Sequence, residues 1–100
     1  MVAYVIVFRD RTRDQEQLDL YSQKAPAVSK NYPVTILSYR SRHEVVEGPA
    51  IEAAAILEFP SFEEAKAWYD SPGYQEALKH RLLGGDHRAV IIDGGRPKPG

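Results

Sequence analysis

Apolar and polar positions along the chain follow two different periods, and the changes of period mark the elements. Residues Val2–Phe8 (VAYVIVF) are aliphatic, β-branched or aromatic throughout, which at this length predicts a strand. A charged connector, Arg9–Arg13, leads to Asp14, whose spacing to Gln17 is a capping-box pattern. Leu18, Tyr21, Ala25 and Val28 then fall on one helical face. Pro26 has no N–H to give the carbonyl of Ser22, so a kink or a restart is expected there. Asn31, in a left-handed conformation, and Pro33 behind it are expected to end this helix.

Val34–Tyr39 (VTILSY) reads as the second strand, followed by a polar turn at Arg40–Arg42 and a short extended piece, His43–Glu47, broken by Gly48-Pro49. Glu52–Phe59 (EAAAILEF) is ended by Pro60 and fits a third strand better than a helix. Ser61 and Glu64 form a capping box ahead of Phe62, Ala65, Trp68 and Tyr69 at helical spacing. The helix is interrupted at Asp70–Gly73 and restarts with Ser71 as N-cap and Pro72 in the first turn, where a missing donor costs nothing. The restarted helix carries Tyr74, Ala77, Leu78, Arg81 and Leu82 and is expected to stop at Gly84-Gly85. Arg88–Asp93 (RAVIID) is the last strand, and Gly94–Gly100 reads as a flexible tail, leaving 1–93 as the folded domain.

The order β-α-β-β-α-β, with the second helix broken at Ser71-Pro72, predicts an α+β, ferredoxin-like domain with a four-stranded antiparallel sheet. Helices cover only one face of such a sheet. The other face should then be polar at alternate positions, yet both parities are apolar: Tyr4, Ile6 and Phe8 against Ala3, Val5 and Val7 in the first strand, Val90 and Ile92 against Ala89 and Ile91 in the last. Leaving such a face in water is costly at about 25 cal/mol per Å². A homodimer joined through the sheet faces is the expectation.

One hundred residues make one domain, and thirteen Lys and Arg against fourteen Asp and Glu give a net charge of −1. No overall basic field exists to draw nucleic acid or an anionic membrane. The apolar runs are far shorter than the roughly 20 residues of a membrane span. The amino terminus lacks the basic segment and cleavage site of a signal peptide. Cysteine is absent, which removes disulfides and thiolate chemistry and fits a cytoplasmic location.

Several stretches resemble a small bacterial family known as domain of unknown function 1330: Tyr4-Val5-Ile6-Val7, Val45-Val46-Glu47-Gly48, Leu57 through Ala65 (LEFPSFEEA), Ala67 through Gln75 (AWYDSPGYQ) and Arg88 through Gly94 (RAVIIDG). The resemblance covers nearly the whole chain and implies a ferredoxin-like fold of the dimeric α/β-barrel type. Two glycine pairs usual in that family are replaced here, by Pro33-Val34 after the first helix and by Arg40-Ser41 after the second strand.

No phosphate loop, nucleophile elbow or helical histidine pair is present, so neither a cofactor nor a metal is expected. His43, near Tyr39, Glu44 and Glu47, is either a proton shuttle or an ordinary hairpin residue. His80, between Lys79 and Arg81, reads as solvated, and His87 as a residue preceding the last strand. Trp68, Tyr69 and Tyr74 either line a ligand cavity or pack the sheet. Arg81 shares a face with Tyr74 and Leu78 and either holds a carboxylate or pairs with Glu76 or Asp86. Two functions follow. One is binding or cofactor-free proton transfer on a small organic acid, lactone or phenol, with His43 as base, Tyr39 or Tyr69 as hydrogen-bond donor and Arg81 as anchor. The other is a non-catalytic dimeric module that binds a ligand or protein unchanged.

Overall fold

The computed structural model describes residues 1–95, so 96–100 of the expected tail lie outside the described residues. The elements are β1 (Ala3–Thr12), α1 (Gln15–Ser29), β2 (Thr35–Tyr39), β3 (Ala53–Phe59), α2 (Phe62–Asp70), α3 (Pro72–Gly84) and β4 (Gly85–Asp93). Four antiparallel strands lie in the order β2-β3-β1-β4. The helices pack on one face, giving the two-layer α+β ferredoxin-like fold that the pattern of periods predicts; the thinnest dimension is 18 Å.

Register decides which side chains meet the helices, because directly opposed residues share a face. Val5 lies opposite Leu57 and Ile91, and these pack with Phe59, Ala65, Trp68, Tyr74 and Leu78. Trp68 anchors this core, its ring 5.3 Å from Phe59 and 4.1 Å from Tyr74, while its indole N–H donates to Ser29 Oγ at 3.1 Å. The other parity, with Tyr4, Ile6 and Phe8 beside Ala54, Ile56, Val90 and Ile92, faces away from the helices. There Val90 and Ile92 are about half exposed, at 49% and 50%.

The helix break forms as its residues dictate. Ser71 Oγ accepts from the N–H of Tyr74 at 3.2 Å and donates to the carbonyl of Trp68 at 2.8 Å, with Pro72 opening α3. Ser61 caps α2 through the N–H of Glu64 at 3.1 Å.

Elsewhere the structure departs from expectation. Asp14 caps α1 through Glu16 N–H rather than in a box with Gln17, whose side chain instead meets His80 Nδ1 at 2.7 Å; His80 is therefore partly buried against α1 and not simply solvated. The helix α1 continues through Pro26 without a restart, and Asn31 is not left-handed; the end is closed by short-range bonds from Asn31 N–H to Val28 and Tyr32 N–H to Ser29. His43–Glu47 forms no strand but belongs to an exposed loop. Gly84-Gly85 is not a loop, since α3 passes directly into β4. The Gly84 carbonyl accepts from the N–H groups of Arg13 at 2.7 Å and Asp14 at 3.0 Å, and the side chain of Leu18 lies against its Cα. Gly94, the first residue of the expected tail, is buried and donates its N–H to Val2 at 2.8 Å.

Both strands nearest the helices' far end are longer than their apolar runs. β1 extends through Thr12 and β4 starts at Gly85, with a bulge between Arg9 and Arg11. Charge is accommodated by pairing: Arg88 grips Asp10 through two bonds of 2.9 and 2.8 Å, and Arg13 grips Asp86 likewise at 2.8 and 2.9 Å. A second bulge, between Ile36 and Ser38, leaves Leu37 out of the β2–β3 ladder and sets Tyr39 opposite Ala55, on the helix side. Arg40 then has φ of 52°, the left-handed region, at a place where the similar family usually carries glycine.

Candidate functional site

The extended strands build the site. Counting alternate residues outward from Val5 and Val7, β1 sets Arg9 on the helix side, opposite Ala53 and His87. From above, α3 contributes Tyr74 and Arg81, one turn or two along the same face, and α1 contributes Leu18 and Tyr21. These residues, with Tyr39 and Arg40 from the end of β2 and with Trp68, line a cavity of about 90 Å³. A wider space of about 420 Å³, lined by Ser22, Pro26, Val34 and Ile36, adjoins it and shares Tyr21, Tyr39, Arg40, Leu57 and Trp68. The inner cavity therefore opens between α1 and β2.

Its walls are mostly aliphatic and aromatic, and its ionic groups have one sign. Arg9, Arg40, Arg81 and His87 line it, and no Asp or Glu does. Arg9 is neutralised by Glu52 at 3.0 Å. Arg81 is different: it is 5% exposed, and its buried Nε and Nη1 have no hydrogen-bond partner. The ion pairs open to it are taken, Glu76 by Lys79 at 2.9 Å and Asp86 by Arg13 at 2.8 Å. Its compensation comes from the Tyr74 hydroxyl, whose phenol it pulls down by its charge and by hydrogen bonding, and from the ring of Tyr21, with Cζ 5.8 Å from the centroid. A buried guanidinium with free donors is costly unless an anion completes it.

Two further features flank Arg81. The hydroxyls of Tyr21 and Tyr74 are 2.7 Å apart, and their rings meet edge to face at 6.1 Å. Burial pushes the Tyr21 phenol far above its ordinary value, and Tyr74 beside it adds to the rise. Burial also raises Tyr74, against the pull of the Arg81 charge. Both hydroxyls thus stay protonated as hydrogen-bond donors. His87 Nδ1 is buried and unpartnered, and burial, then the charge of Arg81, holds its imidazole below the ordinary range and so neutral.

Of the residues singled out in the sequence, Arg81, Trp68, Tyr74 and Tyr39 come together on this cavity. Tyr69 does not line it: its ring stacks behind Tyr74 at 5.6 Å and its carbonyl accepts from Gln75. His43 is exposed in the loop after β2, its Nε2 3.2 Å from the carbonyl oxygen of Ile51, and lines neither space. Sequence reasoning missed His87, Tyr21 and Arg9. The signal for His87 was present: continuing the parity of Ile91 and Ala89 two residues back reaches it, once β4 is allowed to start at glycine. Among the described residues no group of three or more His, Cys, Asp or Glu gathers as a metal site, and no helix is long and apolar enough to cross a membrane.

The fold is shared with solved structures of low sequence identity. A protein of unknown function from Rhodopseudomonas palustris superposes with a TM-score of 0.73 at 19% identity, over 96% of this chain and 84% of that one. A dimeric ferredoxin-like protein of unknown function from Jannaschia sp. CCS1 gives 0.68 at 12% identity, over 94% and 100%. SnoaB, a cofactor-independent oxygenase from Streptomyces nogalater, gives 0.62 at 10%, over 99% and 97%. No curated protein matches the sequence. At these identities the likenesses show the fold, but residues 2–95 also match a family as a whole, and the chain belongs to it: the domain of unknown function family DUF1330.

Proposed function

We propose that this protein is a homodimeric small-molecule protein whose cavity binds a small organic acid and, with its own side chains, moves a proton on it. One observation carries the reading: Arg81 is buried in an apolar, carboxylate-free cavity with two nitrogens unpartnered. A ligand carboxylate would complete those donors, while Trp68, Tyr21 and Tyr74 enclose its apolar body. His87, the imidazole that lines the cavity, takes the acid–base role that the sequence assigned to His43. The non-catalytic alternative calls for no strongly shifted ionisable group in the cavity and for a cavity that is small or filled by Trp68 and the tyrosines. The lowered imidazole of His87 and the wider space adjoining the inner cavity favour the proton-transfer reading. Fold-level likeness to a cofactor-independent oxygenase agrees with it without specifying a reaction.

The dimer follows from the sheet. Tyr4, Ile6, Phe8, Ile56, Val90 and Ile92 form a continuous apolar face with no helix upon it, and a second copy offers the matching surface. Light scattering at micromolar concentration is expected to give twice the chain mass of 11.3 kDa, and a monomer there rejects the dimer. For the ligand, thermal melts against a panel of aromatic and aliphatic monocarboxylates test the site. An acid at a hundredfold excess over its dissociation constant stabilises by about 2.7 kcal/mol. The shift is expected to vanish in Arg81→Met. A panel without any shift, or a shift that survives that substitution, rejects the assignment.

A further inference from the structure

Two of the residues lining the cavity, not one, carry buried nitrogens without partners. A carboxylate on Arg81 leaves the buried Nδ1 of His87 still without a partner. His87 stands opposite Arg9 across the β1–β4 ladder, and Arg9 is occupied by Glu52. Asp10, also on β1, is held by Arg88, and Asp86 on β4 by Arg13. The Tyr21 and Tyr74 hydroxyls engage each other. The backbone of Gly85 lies against the ring and raises its proton affinity slightly, yet Nδ1 completes no hydrogen bond with it or with any of these groups.

We infer that the ligand is a hydroxy acid, its carboxylate on Arg81 and its hydroxyl on His87 Nδ1. This rests on the reading of Arg81 as the carboxylate anchor. A hydroxyl is the group that fits, because it both donates and accepts and so completes a neutral imidazole in either tautomer. A second carboxylate only accepts, so it would serve one tautomer of the neutral ring where a hydroxyl serves both, and burial with the Arg81 charge keeps the ring from becoming the double donor that would favour an anion. An ammonium or guanidinium on the ligand would meet the cations of Arg9, Arg40 and Arg81 with no carboxylate on the wall. The body between the two groups is apolar and flat: Trp68, Tyr74, Tyr21 and Tyr39 present rings, and Val7, Leu18 and Leu57 fill between them. A phenolic acid, a benzoate bearing a ring hydroxyl, has this outline.

The test pairs ligand groups with residues. Isothermal calorimetry is run on the intact protein with benzoate and with its 2-, 3- and 4-hydroxy isomers, on the wild type, His87→Leu and Arg81→Met. One hydroxy isomer is expected to bind at least about tenfold tighter than benzoate, since a buried hydrogen-bonding group is left unmatched by the unsubstituted ring. In His87→Leu that isomer and benzoate are expected to bind equally. Binding of benzoate with no isomer preferred, or a preference that survives His87→Leu, overturns the hydroxyl assignment alone. Failure of all four acids to bind, or equal binding in Arg81→Met, overturns the carboxylate anchor and this inference with it. Circular dichroism of each variant, expected to match the wild type, keeps a folding defect from passing as a loss of affinity.

Discussion

Exchanging Arg81 for methionine removes a buried cation while keeping much of the side chain's length, and the structure assigns opposite signs to its effects on stability and on binding. In the free protein Nε and Nη1 are buried without partners. Each such donor costs about 1–3 kcal/mol. The cation over the Tyr21 ring returns about 0.5–2 kcal/mol. Methionine has neither the cost nor the return, and its flexible thioether fills the space the stem occupied. The difference is a gain of up to about 5 kcal/mol, a range that spans the roughly 1–4 kcal/mol seen when buried charges give way to apolar side chains. For a domain of this length each kcal/mol is worth about 4–8 °C at the melting temperature. The assay is urea unfolding at fixed protein concentration, because association of the folded chain would make the midpoint depend on it. Arg81→Met is expected to raise the midpoint at unchanged slope and to abolish stabilisation by acids. A variant less stable than the wild type would mean that the guanidinium is satisfied in the folded chain, and its role as a waiting anion site would fall.

Other outcomes follow from single contacts. Gly84→Ala places a Cβ 2.6 Å from Leu18 Cδ2 and 3.0 Å from its backbone nitrogen, and should destabilise by about 1–3 kcal/mol in chemical unfolding. Ser71→Ala removes the α3 cap and should cost about 0.5–2 kcal/mol, read the same way. The Tyr21 and Tyr74 phenols should remain protonated at a pH where a free phenol, at about 10, has titrated; ultraviolet absorbance with Tyr21→Phe and Tyr74→Phe checks this. His87 has a folded value below its unfolded value of about 6.5, so between the two the unfolded chain binds more protons and stability rises with pH. Unfolding midpoints should therefore fall as the pH drops from neutrality through about 6.5, level off below the folded value, and lose this dependence in His87→Gln. The carboxylates of Glu52, Glu76 and Asp86, held low by Thr12 and Arg9, by Lys79 and by Arg13, act in a separate window, their contribution being lost only as the pH falls through the acid range.

The architecture was legible because its signals are local. The apolar run before Arg9, the serine caps at Ser61 and Ser71, and Pro72 behind the second of them each act within one turn or one strand. The site was legible only where its residues also lie in such patterns, as Trp68, Tyr74 and Arg81 do on the helices. What was hidden depends on partners distant in sequence. Arg9–Thr12 is a poor strand by composition and becomes one because it pairs with Gly85–His87 and meets Asp86 and Glu52. His87 enters the cavity only through that pairing. Gln17 bonds His80 rather than closing a cap because α3 lies beside α1. Pro26 is tolerated because Leu18 and Ala25 ahead of it are buried and Val28 behind it packs against the core, and packing outweighs one lost backbone bond.

The bulge at Leu37 reaches beyond the aiming of Tyr39. β2 is an edge of the sheet, and the row of free N–H and C=O groups on an edge is a template on which another chain can add. With exposed Ile36 and Leu37 beside it, a flat β2 would invite strand-by-strand polymerisation. The extra residue twists and interrupts the strand, and Pro33 just upstream supplies no N–H to lengthen it. Deleting Leu37 would keep Tyr39 on its present face by restoring strict alternation, yet would straighten the edge. The chain can therefore offer its sheet face to a partner while its border resists fibril growth.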